Sequence, residues 1–395
     1  MTEHPLTATD YQPPARLARV QSAALAAAAV GIAACAVGAF LDPEQFFRSY
    51  LIGWIYWVAI GIACLGWTMV YHLTAGGWGL VQRKTLEAGA RTLPVLALLF
   101  LPLVFGMESV WVWASPESAH DELIEAKRGF LNVPFFWARM AIYFAIWIFL
   151  AWFLSRQSRR QDETGDPSAT VRMRTMSGPG VVVFVMVASF FSWDTLMSLN
   201  PHWFSSLYGF YFVSSTALTG MLFMAVTGWY LAQRDPWSKV FRAKHFHDYG
   251  KLMLALVMFW AYMALSQFLI TWSGNVPEFT QWYFSRNQGG WKPYTVFLVV
   301  FHFFVPFLML LSASLKRRPE RLVRVAVYLL AMRWIDLYWQ AAPTFYERIT
   351  VHWLDLATLV AVGGVWVFVF VWQLRQQRSL IPLNDPYLPE VLGHG

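Results

Sequence analysis

Cysteine and charge are what this sequence has least of. Only Cys35 and Cys64 occur among 395 residues, with no C-x-x-C pair. A cysteine framework for a metal or an iron–sulfur cluster within the chain is thereby excluded. Charged residues make up 13% of the chain, against roughly 25% in a soluble domain. Histidine is sparse as well: of nine, only His302 is central in an apolar run, and His72 sits near the end of one. The opposed histidines of a bis-histidine haem are absent.

What the sequence has instead is apolar and aromatic length, with 57% hydrophobic residues, 18% aromatics and 22 tryptophans. A bilayer core of ~30 Å at ~1.5 Å per residue takes about 20 apolar residues. Read that way, the chain predicts an all-α membrane protein of ten transmembrane helices. Their expected spans are 19–41, 50–73, 89–113, 134–154, 179–199, 207–233, 250–273, 293–315, 322–340 and 352–374. The first run, preceded by Arg16 and Arg19, has signal-peptide features but is kept as helix 1.

The net charge of +7 does not point to nucleic acid. Lys and Arg crowd alternate connections, as in QRK at 82–84, RQSRR at 156–160, RAK at 242–244 and KRRPER at 316–321. Each basic run adjoins a helix end, and the positive-inside rule then puts both termini in the cytoplasm.

Two echoes run through the chain. Asp194, Pro201 and Trp203-Phe204 recur at the same spacing as Asp336, Pro343 and Phe345-Tyr346. Glu108, Trp113 and Pro116-Glu117 recur as Gln267, Trp272 and Pro277-Glu278. Each pair is four helices apart, so helices 2–5 and 6–9 are expected to form two like-oriented four-helix bundles flanked by helices 1 and 10. The expected organisation is a tail at 1–18, helix 1 and its loop at 19–49, bundles at 50–206 and 207–345, helix 10 at 346–374, and a tail at 375–395.

Polar residues gather near the outer ends of these helices. Asp194, Glu108, Arg139, Gln267, Arg333 and Asp336 are expected at one depth, about five residues or ~8 Å below the outer face. Charges there need partners or water. Arg333 and Asp336 are placed to pair on one helix face, and the remaining acids to face Arg139 or water. His302 lies deeper, one turn before Pro306, where a titrating imidazole suits a proton relay and an inert packing role is the alternative. Tyr262, Ser266 and Gln267 offer a hydrogen-bonding path along helix 7. Trp111, Trp113, Trp193, Trp203, Trp272 and Trp339 read as an outer aromatic belt, and Glu87 and Arg91 as an ion pair. In HFHDYGK, 245–251, a metal site is the weaker reading, and Asp248 as cap of helix 7 the stronger.

The stretches SLNPHWFSSLYGFYF, HFHDYGKLMLALVMFWAYMALSQFLITWSGNVPE and RWIDLYWQ resemble the ActF-type membrane subunits of bacterial alternative complex III, within the NrfD-like, polysulfide-reductase-type family. The resemblance covers helices 2–10. It implies a multi-pass subunit of the bacterial inner membrane in a respiratory or photosynthetic quinol:electron-acceptor oxidoreductase. Menaquinol would be the quinol, and iron–sulfur clusters and haem c would sit in partner subunits beside an ActC-like homologous membrane subunit. On that basis Asp194, Asp336 and Glu108 are expected proton acceptors, His302 the inward relay, and Arg139 and Arg333 the charges that set the acids' ionisation. The rival readings are a secondary transporter and a purely structural anchor.

Overall fold

The structure, a computed structural model, describes residues 11–382 and 384–389, so the outer parts of both expected tails lie outside the described residues. Among the described residues there is no strand, and nine helices are long and apolar enough to cross a membrane. They are α1 (Leu17–Leu41), α2 (Pro43–Thr74), α3 (Arg83–Phe105), α4 (Val133–Thr164), α5 (Ser168–Leu199), α6 (Tyr208–Ala232), α7 (Ala243–Gly274), α8 (Trp291–Leu311) and, after α9, α10 (Trp353–Arg375). α9 (Pro319–Phe345) has 27 residues, ~40 Å of helix, but is not apolar enough to rank with them. These helices mark the chain as a multi-pass membrane protein.

The helices outrun the apolar windows because their stop signals come later. α4 continues to Thr164 and ends where Gly165 takes a left-handed φ of 67°. α7 begins at Ala243, capped through the His245 ring, so Asp248 lies inside the helix and pairs with Lys251 at 3.2 Å. The expectation that Asp248 caps the helix is thus corrected.

α3 is not the continuous helix expected over 89–113. Pro94 and Pro102 cannot donate to the ladder, and the segment breaks into short turns. The released carbonyls are taken up by α2: Trp54 Nε1 donates to Leu96 at 2.9 Å and Tyr50 Oη to Leu99 at 2.7 Å.

α2 and α6 are the most enclosed helices, and α1 lies along α10. That last approach is close: a Cβ on Gly364 would meet the Ala28 nitrogen at 2.4 Å. At the far end from the acids, Arg83 donates to Glu87 at 3.0 Å and to Asp385 at 2.6 Å, and Lys84 to Ser158 at 2.8 Å. Arg83 and Lys84 are therefore buried members of an ionic cluster that docks the C-terminal segment, and Glu87 pairs with them in place of Arg91.

The aromatic belt also needs correction. Trp111, Trp113, Trp203 and Trp339 are buried and Trp193 is half-buried, while Trp272 is 67% exposed. The indoles expected at an interface mostly fill the interior, because 22 tryptophans exceed what a belt accounts for.

Candidate functional site

α6, α7, α8, α9 and the short helix Pro277–Ser285 enclose a cavity of about 420 Å³. Its walls are aromatic and aliphatic: Trp260 and Ala264 of α7, Leu298 and Phe303 of α8, Trp282 of the short helix, Trp339 of α9. Polar groups converge on it from Asp336, Gln267, Arg286, Tyr208 and Tyr211. A mainly apolar hollow with a few convergent polar atoms is the usual form of a small-molecule site.

Asp336 is fully buried and held from three sides. Tyr211 Oη donates to Oδ1 at 2.7 Å, Gln340 Nε2 donates to Oδ2 at 3.0 Å, and Arg333 pairs with Oδ2. The Arg333 pair is an i,i+3 contact on one helix face. Arg333 Nε lies 3.4 Å from Thr219 of α6. Because α9 continues to Phe345, Asp336 sits nine residues, ~14 Å, from the helix end, deeper than expected.

Gln340 extends the site. Its Oε1 accepts from Tyr208 Oη at 3.0 Å, and its backbone carbonyl accepts from Arg286 Nη2 at 2.7 Å. Arg286 also donates from Nη1 to the Trp282 carbonyl at 2.8 Å, and its guanidinium carbon lies 3.4 Å from the Trp282 ring centroid. Burial pushes Arg286 down to about 9, with the Tyr208, Tyr283 and Tyr211 hydroxyls offsetting part of that.

The cavity owes part of its shape to α8. Pro306 has no N–H to give, and residues Val299–Phe304 widen into a π-turn in which Val305 N donates to the Val300 carbonyl. Phe301's carbonyl, freed from its ordinary partner, accepts from Tyr328 Oη.

Asp194 belongs to a separate cluster. Arg139 grips it with two bonds, Nε to Oδ2 at 2.8 Å and Nη2 to Oδ1 at 2.7 Å, and Tyr143 Oη donates to Oδ2 at 2.8 Å. Arg139 is further held by the Phe130 carbonyl at 2.9 Å and by the Phe130 and Phe135 rings. Among the described residues no hydrogen bond joins this cluster to Asp336. The expected single polar layer therefore resolves into two clusters.

The remaining expected site residues divide. Gln267 lines the cavity and accepts from Ser205 Oγ. Ser266 is half-buried beside it, whereas Tyr262 is 63% exposed and points out of the bundle, which removes it from a path toward Asp336. Glu108 is exposed beyond the end of α3 and joins neither cluster. His302 is fully buried, with the Trp260 ring tilted against it at a centroid distance of 4.0 Å, and neither ring nitrogen has a hydrogen-bond partner among the described residues. Among the described residues no hydrogen bond leads from the His302 ring toward the acids.

Arg286 and Tyr208 escaped the sequence reading. The signal for Arg286 was available: one cation in the aromatic run WYFSR, with no acid near enough in sequence to pair with it. No known protein-family model matches the chain, and no curated protein compared with it matches either.

Proposed function

We propose that this chain is a membrane subunit of a quinol-oxidising complex and holds a quinol headgroup in the α6–α9 cavity. The supporting observation is the meeting of Asp336 and Tyr211 in an aromatic-walled hollow of about 420 Å³. A hydroquinone ring is flat and apolar with a hydroxyl at each end, so it needs stacking surfaces and a base at a hydroxyl. Both are present.

Access from lipid fits this ligand. Leu265, Phe268, Val299 and Phe304 line the cavity and are also 41–56% exposed on the outside of the helices. The cavity therefore opens sideways between α7 and α8, where Ala261 and Ala264 leave room for an isoprenoid tail.

Oxidation of the quinol releases two protons and two electrons, and the residues of this cavity account for the first proton. As a hydroxyl gives its first proton to the Tyr211 oxygen, Tyr211 passes its own across the 2.7 Å bond to Asp336, and Arg333 supplies the fixed counter-charge. The electrons would leave for centres in partner subunits, which the resemblance to alternative complex III implies are iron–sulfur clusters and haem c. In this reading the proton acceptor is Asp336, Asp194 is a structural ion pair, and His302 packs against Trp260.

The same reading has α9 as the tenth membrane helix, its Arg333, Asp336 and Gln340 turned into the bundle interior as intramembrane polar groups are. With the basic connections in the cytoplasm, the 275–290 connection over the cavity faces the periplasm of a bacterial inner membrane.

An azido-naphthoquinone photolabel tests the site in the purified full chain. Label is expected on peptides of α7, α8 and residues 277–287, and competition by menaquinone should remove it. Label elsewhere, or none, defeats the reading. A transporter would act without partner subunits, and a structural anchor would take no competable label.

A further inference from the structure

Arg286 is a buried cation that the protein leaves without an anion. It is 2% exposed, and no carboxylate lies within ion-pair distance of it among the described residues. Its Nη atoms are used on the Trp282 and Gln340 carbonyls and, at 3.3 Å, on Ser285 Oγ. Its Nε–H is buried and has no partner. The indoles of Trp282 at 3.4 Å and Trp339 at 5.3 Å recover part of the charge's lost solvation. Taking such an ion out of water costs several kcal/mol, so the rings and neutral acceptors leave the charge undercompensated.

The placement gives that charge a purpose. Arg286 borders the cavity that Asp336 also borders, and one residue touches both: Gln340 bonds Asp336 through its side chain and Arg286 through its carbonyl. A base and an unneutralised cation thus face one apolar hollow. When Asp336 and Tyr211 remove one proton from a neutral quinol, the product is a ring bearing one negative oxygen and one intact hydroxyl. No proton or electron beyond that one is needed for the step.

We propose that Arg286 is the specificity-determining residue of this cavity and holds the ligand ring in its singly deprotonated, anionic form through its uncompensated charge. The proposal rests on the quinol reading above. Charge-assisted bonds to a guanidinium are the strong ones, and a ligand anion is the partner this guanidinium lacks. The depressed ionisation of Arg286 accords with a cation held ready for an anion.

The test compares two probes with the same alkyl tail on the purified full chain: a hydroxynaphthoquinone, ionised at neutral pH, and its neutral methyl ether. The wild type should bind the anion about tenfold or more tightly than the ether, as a charge-assisted bond requires. Arg286→Gln should abolish that preference while leaving the ether's affinity within about threefold, which also shows that the cavity is formed. Arg286→Lys, charged but without the planar fork, should keep part of it. An anion preference that persists in Arg286→Gln overturns the proposal. So does an equal weakening of both probes, which would make Arg286 a wall residue while the quinone site stands. If neither probe binds the wild type, this proposal and the quinol reading fall together.

Discussion

Removing Arg139 separates a structural ion pair from a proton path. Asp194 is fully buried and takes three hydrogen bonds, two of them from Arg139. Arg139→Met leaves its fully buried carboxylate with Tyr143 as its remaining side-chain donor. Breaking a buried pair from one side costs about 3–5 kcal/mol, because the surviving charge is uncompensated. Asp194→Leu leaves Arg139 with its Phe130 carbonyl and the Phe130 and Phe135 rings, so its cost falls toward the lower end of that range. The double variant removes both charges and should lie within about 2 kcal/mol of the wild type, since a pair replaced as a whole is often close to neutral. Reversible denaturation of the full chain in detergent, run as a double-mutant cycle, measures this coupling. A single-variant cost below about 1 kcal/mol, or a double-variant cost equal to the sum of the singles, refutes the reasoning. Quinol oxidation by the assembled complex is the second readout: the double variant should turn over like the wild type. A well-folded double variant that has lost turnover would restore Asp194 to the chemistry.

Three further outcomes follow from the geometry. Ala264→Phe fills the sideways opening and should raise the KM for a long-tailed quinol roughly tenfold with kcat unchanged, as loss of uniform binding does; an unchanged KM would place the tail elsewhere. His302→Leu should stabilise the chain by about 1 kcal/mol in thermal melts, because it removes two unpartnered buried nitrogens at the cost of one ring contact. Lost turnover in that folded variant would reinstate the relay. Outside the spans, the Ile124 N–H, and after it His202 at 2.6 Å, hold the Asp121 carboxyl below its ordinary 3.8. A lowered carboxylate contributes stability above that ordinary value and loses it as pH falls through the folded value. The melting difference between wild type and Asp121→Asn should therefore be present at about pH 5 and vanish toward about pH 2, and a difference that persists in acid would contradict it.

The spans were legible because crossing a bilayer is a demand on length and apolarity that each segment meets by itself. The Arg333–Asp336 pair was legible for the same local reason, three residues on one helix face. Partners that come from another helix left no such trace. Arg139 and Asp194 are 55 residues apart, and nothing in either neighbourhood fixes a two-bond grip between them. Depth failed for a different reason: the expected span closed at 340, three residues before Pro343, whereas α9 continues through Pro343 to Phe345 and carries Asp336 inward. Glu87 shows both effects at once. Its i+4 neighbour Arg91 suggested a pair, but the buried carboxylate is satisfied from the preceding turn, by Arg83 and Lys84, and from α4, by Ser158.

The echoed segments Asp194–Phe204 and Asp336–Tyr346 place an acid at the same point of a shared spacing, and it is the second acid that borders the aromatic-walled hollow. The origin of the counter-charge accounts for the difference. In the first case α4 brings both Arg139 and Tyr143 to Asp194, so the two helices must pack closely enough for three hydrogen bonds, and the site is closed by that requirement. In the second case Arg333 comes from the acid's own helix and Tyr211 from α6, and among the described residues α8 donates nothing to Asp336. α8 is then free of the packing that binds α4. It carries a π-turn at Val299–Phe304, just before Pro306, and its Leu298 and Phe303 line the hollow that Asp336 and Arg286 share. Of the two echoed acids, the one that borders this hollow is the one whose cation comes from its own helix.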